Sequence, residues 1–251
     1  MIHPTRMDRR LTARISVFLI VLSIAGIASA DQAIQKPEFS MTIPDGWIEI
    51  PRDVLDEYAA TVKSLAPNAG IERYDYGFQA NSGEWFTYPY ILVENRRTGR
   101  LPQATLEQAE KIDMSAVARN EQRNLGSIAT GFRIDAPVFD QETKLLWLRA
   151  EANVATVGPV SGLLACAPTE QGLIRASAFA LAPDFPAYEP VFRANLGNLR
   201  ADPSIAYVWG AKSARGTQTK AGAAASLLVT ALLTGLLIGL IVYLVRNWMT
   251  D

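Results

Sequence analysis

The residue types that most often carry chemistry are scarce in this 251-residue chain, and their positions decide what remains possible. Its one histidine is His3 and its one cysteine is Cys166. His3 falls in an N-terminal segment expected to be removed on export, so the mature protein is expected to hold no imidazole. That excludes Ser-His-Asp and Cys-His nucleophilic machinery, imidazole acid-base catalysis, and zinc or copper sites built on histidine. Cys166 has no second cysteine with which to form an internal disulfide or a dithiol couple. Its setting, Gly162-Leu-Leu-Ala-Cys-Ala167, reads as that of a small buried hydrophobe. Carboxylate, lysine and tyrosine chemistry is what survives. Asp53, Asp56 and Glu57 lie close enough to suggest an acid-base pair, but they fall in the first turns of a helix opened by Pro51, where acidic groups complement the dipole. No catalytic residue, metal site or cofactor is expected.

The densest patch of functional side chains is aromatic. Two strands, about 71–79 and 85–94, are predicted around Ala80-Asn-Ser-Gly83. Tyr74, Tyr76 and Phe78 would share one face of the first, and Phe86, Tyr88 and Leu92 one face of the second. Trp85, Tyr88 and Tyr90 are the candidate ligand or partner surface, the competing reading being ordinary hairpin packing. Pro89 marks the second strand as an edge or a bulge.

Both ends of the chain are apolar and set the domain's address. Four arginines in residues 1–14, an apolar core at 15–27 and Ala28-Ser29-Ala30 make the three-part layout of a secretory signal, with cleavage expected before Asp31. Residues 221–245 carry no charge, enough for ~37 Å of helix, and are bounded by Lys220 and Arg246. A single transmembrane helix is expected there, anchoring the chain in a lipid bilayer. Ala231, Gly235 and Gly239 recur every fourth residue along it, the small-residue stripe of a helix-packing face, which would pair this helix with itself or with another membrane protein. Residues 1–30 are thus read as a signal peptide, 31–200 as an extracytoplasmic domain, 201–220 as a flexible linker and 246–251 as a cytoplasmic tail. Removing the signal takes four basic residues and one acidic, leaving 20 basic and 24 acidic groups and a net charge of −4. No basic block remains to grip phosphates, so no nucleic-acid partner is expected.

The elements that would position these residues point to an α+β fold, an antiparallel β-sheet flanked by helices in an α/β/α-type sandwich. Phe39, Met41 and Ile43 alternate in a strand that ends at Pro44-Asp-Gly46. Residues 103–124 have Leu106, Ala109, Ile112, Ala116 and Val117 at helical spacing. Strands follow at 132–139, 144–157, 160–167 and 173–181. In the second, Leu146, Leu148, Ala150, Ala152 and Val154 face one way and Arg149, Glu151 and Asn153 the other. Small residues on the last strand, Ile174, Ala176, Ala178 and Ala180, would admit a helix at 188–199 with Val191, Phe192, Leu196 and Leu199 inward. The segment Phe39-Ser-Met-Thr-Ile-Pro-Asp-Gly-Trp47, the aromatic hairpin and the closing helix near Phe192 resemble the PsbP-like fold over residues 38–200. Members of that fold serve as binding or assembly factors without a shared reaction, so the resemblance implies an accessory role and transfers no site. The expectation is a non-enzymatic, membrane-tethered interaction protein, periplasmic in a bacterium, with a small-ligand sensor or carrier at residues 71–94 as the alternative.

Overall fold

The structure, a computed structural model, describes residues 31–65, 73–125, 129–155 and 157–211. The proposed signal at 1–30 and the anchor at 221–245, with Ala231, Gly235 and Gly239, lie outside them. Among the described residues no helix is long and apolar enough to cross a membrane.

The chain opens with β1 (Gln32–Gln35), β2 (Phe39–Ile43) and β3 (Trp47–Glu49), followed by α1 (Arg52–Leu65). Then come β4 (Tyr76–Ala80) and β5 (Tyr90–Arg96). The polar stretch after them forms α2 (Gln103–Glu107), a 3-10 turn (Ala109–Lys111) and α3 (Met114–Leu125). Five strands follow: β6 (Ala129–Ile134), β7 (Val138–Phe139), β8 (Leu146–Val154), β9 (Gly158–Thr169) and β10 (Gly172–Leu181). The described chain closes with α4 (Phe185–Leu196) and β11 (Arg200–Ala201).

β1, β2 and β11 make a small sheet, and the main sheet runs β3-β4-β5-β10-β9-β8-β6 with β7 also pairing β8. Each of these strand pairs is antiparallel. The fold is therefore α+β, antiparallel sheets with a few helices. The period of two along β8 and β9 sends alternate residues to two apolar layers. On one side Leu146, Leu148, Ala150, Ala152, Val154, Leu164 and Cys166 meet Leu55 and Tyr58 of α1, Leu106 of α2 and Tyr207. On the other, Leu163, Ala165, Ala167, Ile174, Ala176, Ala178 and Ala180 meet Phe185, Phe192 and Leu196 of α4 and Phe39, Met41 and Ile43 of β2. The alanine ladder lets α4 sit close to the sheet, as its sequence predicts. Gly162 serves the opposite layer, where a Cβ would stand 2.8 Å from the ring of Phe179.

Several local expectations need correction. The helix predicted over 103–124 is broken into three pieces, because Ile112 is extended and Asp113 caps a new start by accepting from the Ser115 and Ala116 amides. Ala116 is exposed, whereas Leu106, Ala109, Ile112 and Val117 do reach the core. The strand predicted at 132–139 is two strands, β6 with a register shift between Thr130 and Arg133. Tyr74 and Phe78 belong to opposite layers, since Tyr74 precedes β4 and does not follow its alternation. β5 begins at Tyr90, after Pro89, and is an interior strand; the proline sits outside the ladder, so no donor is lost from it. Val191 is 37% exposed, and α4 turns Phe192 and Leu196 inward instead.

Candidate functional site

The aromatic patch folds as a loop over the sheet. Residues 81–89 leave β4 and return to β5, and Gln79 holds the loop from inside: its Nε2 donates to the Glu84 carbonyl and its Oε1 accepts from the Phe86 amide. Phe86 is thereby turned inward, 4.7 Å from the Tyr58 ring and 6.2 Å from that of Tyr90. Tyr88 stacks on Tyr90 at 4.9 Å. The three predicted surface residues are brought together, but not as an open platform: Trp85 and Tyr88 are half-buried against the core, and Tyr90 is fully buried, packed on Phe179 at 5.5 Å. As a surface residue Tyr90 is a misreading; it is the first residue of an interior strand, and its ring faces the α1 layer.

Burial pushes the hydroxyls of Tyr58, Tyr74 and Tyr90 well up from the ordinary tyrosine value. At Tyr58 and Tyr90 the neighbouring tyrosines add to the rise, whereas at Tyr74 the Arg175 guanidinium opposes it. These groups stay neutral at physiological pH, fit to donate hydrogen bonds and unfit as bases. The Tyr58 hydroxyl is buried and finds no hydrogen-bond partner among the described residues.

Next to the tyrosines lies a row of charge that the sequence reading did not single out. β5, β10 and β9 place Glu94 opposite Arg175 and Arg175 opposite Cys166. Arg175 bonds Glu94, and Arg96 approaches the same carboxylate at 3.0 Å. Both Arg175 and Glu94 are essentially removed from water. Burial pushes the Glu94 carboxyl up while Arg175 works against the rise, and burial lowers Arg96 to about 10. Cys166, also buried, is pushed up to about 11, which makes it a filler and not a nucleophile. The available signal was an arginine in Leu173-Ile-Arg-Ala-Ser-Ala-Phe-Ala180, where neighbours on both sides read as buried.

A third place of interest is an open groove of about 500 Å³ beside α4, lined by Trp147 and Arg149 of β8, Arg193 of α4, and Asp135 and Asp140 around β7. Arg193 stands 5.7 Å from the Trp147 ring centroid. Glu189 takes Arg149 at 3.1 Å and Arg193 at 2.8 Å, so one carboxylate balances two guanidinium groups. The lining is mixed in charge, two arginines and two aspartates around one tryptophan.

The fourth is the chain's exit. In the stretch read as a linker from residue 201, the residues up to Ala211 run as a strap along the domain. Asp202 N–H donates to Glu38 O at 2.8 Å, Ala206 bridges Thr169, and the Tyr207 hydroxyl donates to Leu101 O at 2.7 Å. Glu170 Oε1 accepts from Val208 N–H at 2.8 Å and Arg100 Nε at 3.0 Å, while Gly210 N–H donates to Gln103 Oε1. Burial works to raise the Glu170 carboxyl, yet the Val208 amide and Arg100 hold it below its ordinary value. Arg100 lies 4.1 Å over Tyr207, Tyr207 meets Trp209 at 4.6 Å, and Trp209 meets Phe139 at 5.4 Å with Lys144 over it at 5.2 Å. Tyr207 and Trp209 in Ala206-Tyr-Val-Trp-Gly210 were the sequence signal for packing within a supposed tether.

Among the described residues no group of three or more histidine, cysteine or carboxylate side chains is placed to hold a metal. No protein-family model matches the sequence, and no curated protein matches it. The chain is similar in structure to cyanobacterial PsbP from Synechocystis sp. PCC 6803, with a TM-score of 0.42 and 11% identity over 72% of this chain and 99% of that one. It is also similar to LpqN, involved in cell envelope biogenesis in Mycobacterium tuberculosis, with a TM-score of 0.36 and 13% identity over 69% and 91%. The weak PsbP-like resemblance read from the sequence is supported at that level, and the functional reading rests on the chain's own residues.

Proposed function

We propose that this chain is an exported, membrane-tethered accessory protein whose domain works by binding and not by catalysis. The observation that carries the reading is the strap: the polypeptide is fastened to the domain as far as Gly210, and an uncharged run long enough to span a bilayer begins only eleven positions later, at Ala221. A domain so placed stands on a membrane, with its large surface free to meet a partner on the side to which the signal sends it. The acid-base groups also support a binding role. Glu94, Asp56, Glu189 and Glu170 each face arginine, and the buried tyrosines are held neutral. The helix face of Ala231, Gly235 and Gly239 gives the anchor a means of lateral pairing, with a second copy or another membrane protein.

The test is made on the full-length chain. An N-terminus at Asp31 by mass spectrometry, digestion of the domain by protease added outside intact spheroplasts, and a membrane partner captured in fixed ratio but lost on Gly235→Leu are the expected results. A chain retaining Met1, a domain protected from outside protease, or turnover of a substrate by the purified protein would each overturn it. The ligand-carrier alternative draws on the buried Tyr58 hydroxyl next to the half-exposed Trp85 and Tyr88. Saturable quenching of Trp85 fluorescence by a small molecule, abolished in Tyr58→Phe, would favour it.

A further inference from the structure

We infer that the face formed by Val208, Trp209, Phe139 and Lys144 lies against the lipid bilayer that holds the anchor, so that the domain docks on the membrane in one orientation. The inference rests on the anchor reading and adds which face meets the lipid. Nine residues separate Ala211 from Ala221. Nine residues can reach at most ~32 Å, whatever their conformation. A domain the size of residues 31–211 has a radius of gyration of about 16 Å, hence a diameter near 40 Å and a half-circumference beyond 60 Å. The tether is therefore too short to pass around the domain and set the opposite face on the membrane. The strap face stays turned toward the lipid.

What that face presents suits an interface. Val208 is 56% exposed although its neighbours Tyr207 and Trp209 pack inward, and it stands next to the point where the chain leaves the domain. Trp209 is half-buried, its ring resting on Phe139 and covered by the Lys144 ammonium. An aromatic body with a polar edge, an exposed aliphatic side chain and a long cationic one form the set that settles at the level of headgroups. Lys212, Arg215 and Lys220 in the intervening sequence, with no acid among them, add attraction to anionic headgroups. Glu170 and Arg100 hold Val208 from below, so the patch is presented by a fixed backbone.

Nitroxide labels on the full chain in nanodiscs of mixed phosphatidylglycerol and phosphatidylcholine test this. Labels are placed by Val208→Cys, by Leu237→Cys in the anchor, and by Asn153→Cys, an exposed position seven residues along β8 from Leu146 and roughly 23 Å away at the strand rise. The unsubstituted chain, whose Cys166 is buried, is the labelling blank. Relative to Asn153→Cys, the Val208→Cys label is expected to collide several-fold more with oxygen than with a water-soluble nickel chelate, and Lys144→Glu is expected to reduce that ratio. A Val208→Cys label as wet as Asn153→Cys, while Leu237→Cys is in lipid, overturns the docking and leaves the anchor standing. A Leu237→Cys label in water overturns the anchor and the docking with it. A Val208→Cys label shielded from both probes means that protein covers the face, which also overturns it.

Discussion

Glu94 is a buried anion shared by two guanidinium groups, and neutralising it is the perturbation whose cost can be worked most directly. Its side chain is 6% exposed, that of Arg175 1% and that of Arg96 11%, so water screens little of the interaction. Glu94→Gln keeps the volume and one acceptor oxygen but leaves Arg175 and Arg96 facing each other without a counter-ion. Removing one partner of a buried pair costs about 3–5 kcal/mol, a large part of the 5–15 kcal/mol that holds a typical domain together. At about 2–4 °C per kcal/mol for a domain of this size, the melting temperature should fall by roughly 6–20 °C. Arg175→Met is milder, about 1–3 kcal/mol, because Arg96 still neutralises the carboxylate. Replacing both partners, Glu94→Leu with Arg175→Met, removes the desolvated charges together and should bring the melt back toward the wild type. Thermal and urea melts of the full chain in mild detergent, followed by circular dichroism and tryptophan fluorescence, measure all of these. If Glu94→Gln melts with the wild type, or if the double substitution is as damaging as the two single ones combined, the pair is not holding the sheet in the way described.

Three other expectations follow from single contacts. Gly162→Ala would set a methyl 2.8 Å from two carbons of the Phe179 ring, which is itself packed on Tyr90, so it should cost about 1–3 kcal/mol in a melt, with part recovered by Phe179→Leu. Glu170 is held below its ordinary value in the folded chain, so its contribution to the strap is fully present above about pH 4.5 and is lost as pH falls through the lower folded value; hydrogen exchange over residues 202–211 should rise in that window, and Glu170→Gln should raise it already at neutral pH. Cys166 should be silent to thiol reagents at pH 8 and react in full once urea unfolds the chain, because its thiol is buried and pushed up to about 11; rapid native labelling would contradict that.

The parts of the fold legible in the sequence are those where alternation alone decides the outcome. Leu146 to Val154 and Ile174 to Ala180 each put one residue type on one face, and each face is found in a single apolar layer. The aromatic segment misleads because two patterns overlap there: Trp85 to Tyr90 has strand-like residue types, but Gln79 hydrogen-bonds the chain into a loop, and the alternation that matters starts at Tyr90. Residues 103–124 mislead in the other direction. Their helical spacing is real, but Asp113 is a better cap than an interior residue, and capping ends one helix and begins another.

The charged row was hidden for a different reason. An arginine at a core position of β10 demands a carboxylate, and the residue types alone offer many; only register selects one. That register begins at Gly172, where a Cβ would lie 1.9 Å from the Arg96 carbonyl oxygen. Without a side chain there, the end of β5 closes directly onto the start of β10, which pairs Leu173 with Arg96 and, two residues on, Arg175 with Glu94. A slip of one residue would send Arg175 into the alanine face beneath α4, away from Glu94. The glycine and the ion pair thus enforce the same alignment from two directions: one permits the close approach, and the other makes any other alignment cost a buried, unpaired charge.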